Sequence, residues 1–147
     1  FYGGRNQVCN HELEKDFIAH MNWRDNQCIP HPYVVHADKE LTQRIAQTDM
    51  VRGVTIACGG FYAPQGRTLR LPLADPCQNE KIISFRKGEH CITNFEMESS
   101  AIAGLSLLMG HKALTVCMVI ANRLAHEANT NYRNSINTLI QTVLERI

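Results

Sequence analysis

The sequence predicts an α/β fold: a central mixed sheet flanked by helices in a three-layer sandwich. Three observations carry that reading. Runs rich in β-branched residues alternate with helical-period segments along the chain. Residues 112–123, KALTVCMVIANR, are almost uninterruptedly apolar, the composition of a central strand covered on both faces. Residues 130–146 place Ile136, Leu139, Ile140, Val143 and Leu144 at helical spacing. At 147 residues and 44% apolar content, the chain has the length of one domain and the material for one core.

The elements follow in order. HELEKDFIAHM, residues 11–21, sets Leu13, Phe17, Ile18 and Met21 on one helical face after Asn10 as N-cap. The prolines of CIPHP discourage helix and lead into a short strand over residues 33–35. Asp38 then caps a helix with Leu41, Ile45 and Ala46 inward. MVRGVTIAC, residues 50–58, reads as a buried strand ending at Gly59 and Gly60, followed by the loop GGFYAPQGR. Residues 70–80 read as irregular, and residues 81–91 favour neither helix nor strand. HCITNFEM is a strand. ESSAIAGLSLLMG is a helix with Ala101, Ile102, Leu105, Leu108 and Met109 on one side and Gly110 closing it. Three loops beyond strand carboxyl ends, 59–67, 94–98 and 121–127, are where such a sheet collects ligands.

Composition excludes several classes. Lys and Arg number 15 against 14 Asp and Glu, scattered rather than striped, so neither a nucleic-acid nor a membrane footprint is present. Six cysteines lack a C-x-x-C pair, there is no signal-like apolar segment and no N-x-S/T sequon, and a reduced, cytoplasmic protein is expected. The opening FYGGRNQVC reads as an interior loop, so a piece of a longer protein is expected. Seven histidines suggest metal, yet neither HELEK nor HEANT completes H-E-x-x-H and no Cys/His spacing suits zinc; no metal is expected. The P-loop, the dinucleotide fingerprint and the G-x-S-x-G elbow are missing, and no cofactor is expected.

Two stretches carry chemistry. In GGFYAPQGR, Phe61 offers a stacking face, and Gln65 with Arg67 offers donors and one acceptor, the parts that hold a flat heterocycle. Donors to carbonyl oxygens with one acceptor for a ring N–H suit a pyrimidine dione better than a purine. An ordinary turn with a surface arginine is the alternative. In TNFEMESSAIAGL, residues i and i+2 of a strand point to one face about 6.6 Å apart. Glu96 and Glu98 then have two readings. One is a helix start, with Thr93 and Glu96 as a capping box and Glu98 favoured by the dipole. The other is a carboxylate accepting from the vicinal hydroxyls of a ribose and stabilising the electron-poor sugar as its glycosidic bond breaks, with Met97 packed on the ring.

Together GVTIACGGFYAPQGR, TNFEMESSAI and TVCMVIANR, in that order and spacing, resemble the nucleoside phosphorylase family, with the nearest likeness to bacterial uridine phosphorylases. The likeness continues through KIISFRKGEHCITN to TLIQTVLERI and lacks the family's N-terminal portion. It implies the phosphorylase/hydrolase-like sandwich, here as a partial domain, and phosphorolysis of uridine to uracil and ribose 1-phosphate. It implies that Phe61, Gln65, Arg67, Ile120 and Arg123 bind the base, that Glu96, Met97 and Glu98 bind ribose, and that Arg67 and Glu98 act in catalysis. Inorganic phosphate is the implied co-substrate and a homo-oligomer, commonly a hexamer, the implied assembly. Purine-specific relatives carry an aspartate where Ala121 stands; its absence favours a pyrimidine. The family's phosphate ligands match nothing here, and Arg5 beside Gly3 and Gly4 reads as a loop arginine. The chain is therefore expected to hold the base and ribose half of a site and to be inactive alone. Rival readings are a purine phosphorylase, a nucleosidase using water, a non-catalytic nucleoside-binding or oligomerisation fragment, and a plain α/β domain.

Overall fold

A computed structural model of the chain describes residues 4–23, 31–122 and 125–147. Local signals set the first helices. After a single turn, α1 (Arg5–Val8), α2 (His11–Met21) begins where the Asn10 side chain accepts the Leu13 N–H at 3.0 Å. It ends where Asn22 turns left-handed at φ 54°. In α3 (Lys39–Ile45) the Asp38 carboxylate accepts the Leu41 N–H at 2.9 Å, the expected cap, and Ile45 and Ala46 are buried.

The sheet is mixed and small. β1 (Val54–Ala57) pairs in parallel with β3 (His90–Glu96), and β2 (Arg86–Lys87) pairs antiparallel with the start of β3. The register slips between Val54, opposite Ile92, and Thr55, opposite Asn94, so Thr93 is an extra residue. Such a bulge shifts the side-chain alternation, and Ile92 and Phe95 both reach the same core. That core joins Leu13, Phe17 and Met21 of α2 to Ile82 of α4 (Gln78–Ser84) and to Phe85, with Ile56 packed against it. Phe17 meets Phe85 edge-to-face at 5.2 Å between centroids. The other sheet face, with Thr55 bonded to Asn94 at 2.8 Å, looks past α5 (Ser99–Leu108) into a cleft. Helices thus stand on both sides of a mixed sheet, as expected of an α/β sandwich.

Three expectations need correction, and one open stretch is decided. Residues 33–35 form no strand; Val35 makes one isolated bridge with Cys9. Residues 81–91 resolve into the end of α4 and the β2–β3 hairpin. The apolar run is no central strand: among its described residues, 112–122, only Ala121 and Asn122 pair, as β4, with β5 (Glu127–Ala128). Its earlier part passes Asp38, whose N–H bonds Ala113 O at 2.7 Å, and sets Cys117 against the Asn94 side chain. A central strand needs neighbours on both edges, and the described residues offer only the two-residue β5. A cleft of about 1000 Å³ remains beside the 113–119 segment. Finally, the helical face of Ile102, Leu105 and Met109, expected inward, is largely exposed; Leu108 lies against Gly4 instead. The C-terminal α6 (Tyr132–Arg146) forms as expected, docked to the α3 end by Arg146, which donates to Ile45 O and to both Asp49 oxygens. Among the described residues no helix is long and apolar enough to cross a membrane.

Candidate functional site

Parallel pairing sets the site. Because β1 and β3 run the same way with Ala57 opposite Glu96, both strands end at one sheet edge, and the Cys58 N–H continues the ladder to Glu96 O at 2.9 Å. The chain after β1 becomes the turn 59–67, and the chain after β3 becomes Met97, Glu98 and α5. The two stretches singled out for chemistry therefore leave the sheet side by side, at the strand ends where α/β folds bind ligands.

The turn is built around a short 3₁₀ segment, Ala63–Gln65, closed by Gly66 at φ 70°, a left-handed position that favours glycine. The N–H groups of Gln65 and Arg67 both bond Tyr62 O at 3.0 Å. Arg67 folds back over the turn. Its guanidinium carbon lies 3.6 Å above the Phe61 ring centre, a cation–π stack, and its Nη1 donates to Phe61 O and, at 2.8 Å, to Gln65 Oε1. Gln65 is buried at 4% exposure whereas Phe61 is 51% exposed. A guanidinium carries five N–H donors, so Arg67 keeps donors beyond those two bonds. The structure thus brings Phe61, Gln65 and Arg67 into one contact group.

Glu96 and Glu98 divide sharply. The Glu96 carboxylate accepts the Glu98 N–H at 2.8 Å, the Ser99 N–H at 2.7 Å and the Ser99 hydroxyl at 2.6 Å. It thereby closes the open N–H groups at the start of α5, but with Ser99 rather than with Thr93, which stays in the strand. Burial alone would raise its carboxyl. The Ser99 hydroxyl and the nearby backbone N–H groups of Glu98, Ser99 and Met97 outweigh that and hold it below the ordinary carboxylate range. Glu98 occupies the N-cap position without capping, is exposed, and accepts no hydrogen bond on its carboxylate among the described residues. Met97 beside it is 41% exposed.

Ile120 lies 44% exposed at the foot of the β4–β5 hairpin, where its carbonyl accepts the Asn129 N–H at 2.8 Å. Arg123 lies outside the described residues. Arg5 is engaged with Glu14 at 2.9 Å and with Pro32 O at 3.2 Å. The large cleft under residues 113–119 is lined by none of Phe61, Gln65, Arg67, Met97 or Glu98 and lies on the other sheet face. No group of three or more metal-ligating side chains occurs among the described residues. Sequence reasoning missed Gln78 and Asn79 of α4, whose amides bond the carbonyls of the turn; the one available signal was Gly66, the glycine such a turn requires.

A mixed sheet thus carries the Phe61, Gln65 and Arg67 turn and the exposed Glu98 carboxylate at adjoining parallel strand ends. The profile of the Phosphorylase superfamily matches residues 5–147, and the chain belongs to that superfamily. It is 38% identical over 88 residues to uridine phosphorylase A of Schistosoma mansoni, covering 58% of this chain and 29% of that protein. It is 34% identical, with the same coverage, to inactive uridine phosphorylase B of Schistosoma mansoni. The matched region thus spans under a third of these relatives' length. No solved structure matches.

Proposed function

We propose that the chain carries the base and ribose half of a uridine phosphorylase site, serving pyrimidine nucleoside salvage. The observation that carries this is the placing of the Phe61, Gln65 and Arg67 group beside the free carboxylate of Glu98, at the ends of two paired parallel strands. The 38% identity to a relative named uridine phosphorylase supports the substrate. Phosphate attacks C1′ of the ribose while the C1′–N1 bond breaks. The electron pair leaves with the uracil anion, which takes up the proton that hydrogenphosphate gives up, and the products are uracil and ribose 1-phosphate.

The residues divide that work. Phe61 packs on the base, while Gln65 and Arg67 donate to its carbonyl oxygens and stabilise the departing anion. Glu98 accepts from the 2′- and 3′-hydroxyls, and its charge sits beside the cationic sugar. Met97 packs on the ring, Ile120 lines the base pocket, and Arg123 reaches the O4 side. Inorganic phosphate is held by residues outside these 147, no cofactor enters, and the working form is a cytoplasmic homo-oligomer, a hexamer by family likeness. Ala121 offers no acid for a purine N7, which favours uridine.

The test is calorimetric titration of uracil and uridine into the chain, together with uridine turnover by a longer protein containing it, with and without phosphate. Phosphate-dependent release of uracil supports the proposal. Turnover in water alone would identify a nucleosidase instead. Nucleoside binding without turnover is the second reading, favoured by the 34% identity to a relative named inactive. Failure to bind uracil or uridine in either format would sink both.

A further inference from the structure

The turn that carries Phe61, Gln65 and Arg67 is not held by its own backbone alone. Helix α4 begins 11 residues after Arg67, and its first two side chains both reach back to it. Gln78 donates from Nε2 to Pro64 O at 3.1 Å and to Ala63 O at 3.3 Å, and Asn79 donates from Nδ2 to Gly66 O at 3.0 Å. Three of the four carbonyls from residue 63 to residue 66 are therefore fixed by one helix end. The fit is close: a Cβ built on Gly66 would stand 1.9 Å from Asn79 Oδ1, so the glycine's missing side chain is the space the amide fills. The helix is itself a firm base. Ile82 and Phe85, at and just past its far end, are buried in the core, and Asp75 steadies its start by accepting the Cys77 N–H at 3.0 Å and pairing with Lys81 at 2.7 Å.

We propose that Gln78 and Asn79 are positioning residues for base recognition, carrying the rigidity of the core to the turn that aims Gln65 and Arg67. The proposal rests on the uridine reading for its ligand, and on the contacts above for the mechanism. Hydrogen bonding of a planar base tolerates small errors in aim poorly, so loosening a support remote from the ligand weakens binding without removing a contact to it. The hydrogen bonds of Gln78 and Asn79 go to backbone carbonyls of the turn, so their effect on the base passes through the aim of Arg67 and Gln65.

Two measurements on the 147-residue chain test this, using Asn79→Leu, the same-shaped Asn79→Asp, and Gln78→Leu, each checked for a parent-like circular dichroism spectrum. The first is amide hydrogen exchange, which needs no ligand. The Gly66 and Arg67 amides, bonded within the turn at 2.8 and 3.0 Å, exchange about tenfold faster in the Asn79 variants, while the α2 amides keep their rates. Unchanged exchange in the turn overturns the proposal. The second is uracil affinity in a double-mutant cycle with Arg67→Ala. Asn79→Leu weakens uracil about tenfold in the parent and about threefold or less when Arg67 is already alanine, because one of the two supported contacts is gone. Equal losses in both backgrounds, or faster exchange with unchanged affinity, overturn the positioning role and leave a stability role alone. If the parent chain binds no uracil, the uridine reading falls and base recognition falls with it, while the exchange result still decides separately whether α4 holds the turn.

Discussion

Replacing Glu96 tests whether this acid is structural. Its carboxylate receives three hydrogen bonds, two from backbone N–H groups at the start of α5 and one from the Ser99 hydroxyl. Loss of a helix cap costs about 0.5–2 kcal/mol, and hydrogen bonds to a charged acceptor contribute about 1.5–3 kcal/mol. Water reaches this exposed helix start and re-solvates the freed amides, so Glu96→Ala is expected to cost about 2 kcal/mol. In a chain of this size that lowers Tm by about 4–8 °C. Glu96→Gln keeps shape and an acceptor but gives up the charge, at about 1 kcal/mol. The pH dependence has a fixed sign. A carboxyl held below its ordinary pKa in the fold stabilises the fold above the unfolded value, and that contribution is lost as pH falls through the folded value. The stability gap between parent and Glu96→Gln, from urea unfolding followed by circular dichroism, is thus constant near neutrality and closes on acidification below about pH 4. A gap that is the same at pH 3 and pH 7, or a Glu96→Ala chain as stable as the parent, refutes the capping argument.

Three further outcomes follow from the same geometry. Glu98→Ala leaves Tm within about 1 °C, because among the described residues no hydrogen bond ends on its carboxylate, yet costs about 2–4 kcal/mol in kcat/KM for uridine phosphorolysis in a protein that turns over. Parent-like kinetics would remove it from the site. Arg67→Ala lowers kcat/KM by a similar amount, about 2–4 kcal/mol, and also weakens uracil in calorimetry, since it acts on the base; unchanged uracil affinity would place it elsewhere. Glu14→Leu removes a buried carboxylate that joins Arg5, His11 and the Val34 N–H at 2.9–3.0 Å, and is expected to cost about 2–4 kcal/mol in urea unfolding. Burial raises the Glu14 carboxyl, but its bonds to His11 and the Val34 N–H and the Arg5 charge carry it below the ordinary range, so this contribution too is present at neutral pH and fades in acid. Equal stability of parent and variant at pH 7 would show that Arg5 and His11 find water as good a partner.

What could be read in the sequence was what local chemistry decides. Asn10 and Asp38 were legible as caps because a cap is a contact between residues three apart, and Phe61, Gln65 and Arg67 were legible as a group because one tight turn must bring them together. The misreadings share one cause. An apolar run such as 112–120 records a demand for burial, not a ladder, and whether neighbouring strands meet that demand is a tertiary fact. Helix α5 is apolar on most sides, so periodicity could not say which side faces in; Gly104 is buried and Ile102 is exposed. Helix α4 was hidden because its seven residues follow two prolines and bury mainly Ile82, too little pattern for a 3.6-residue period to show.

The division between the glutamates has a consequence for the proposed site. A carboxylate has about four lone-pair positions, and Glu96 uses three of its acceptances to start α5. For Glu96 to take both hydroxyls of a ribose, it would have to release the amides of Glu98 and Ser99, the same residues that hold the neighbouring carboxylate in place. Diol binding by Glu96 and positioning of Glu98 are therefore in competition, whereas diol binding by Glu98 costs the fold nothing. In the spacing E-M-E the first glutamate ends the strand and starts the helix, and the second is left exposed at the strand end beside the 59–67 turn.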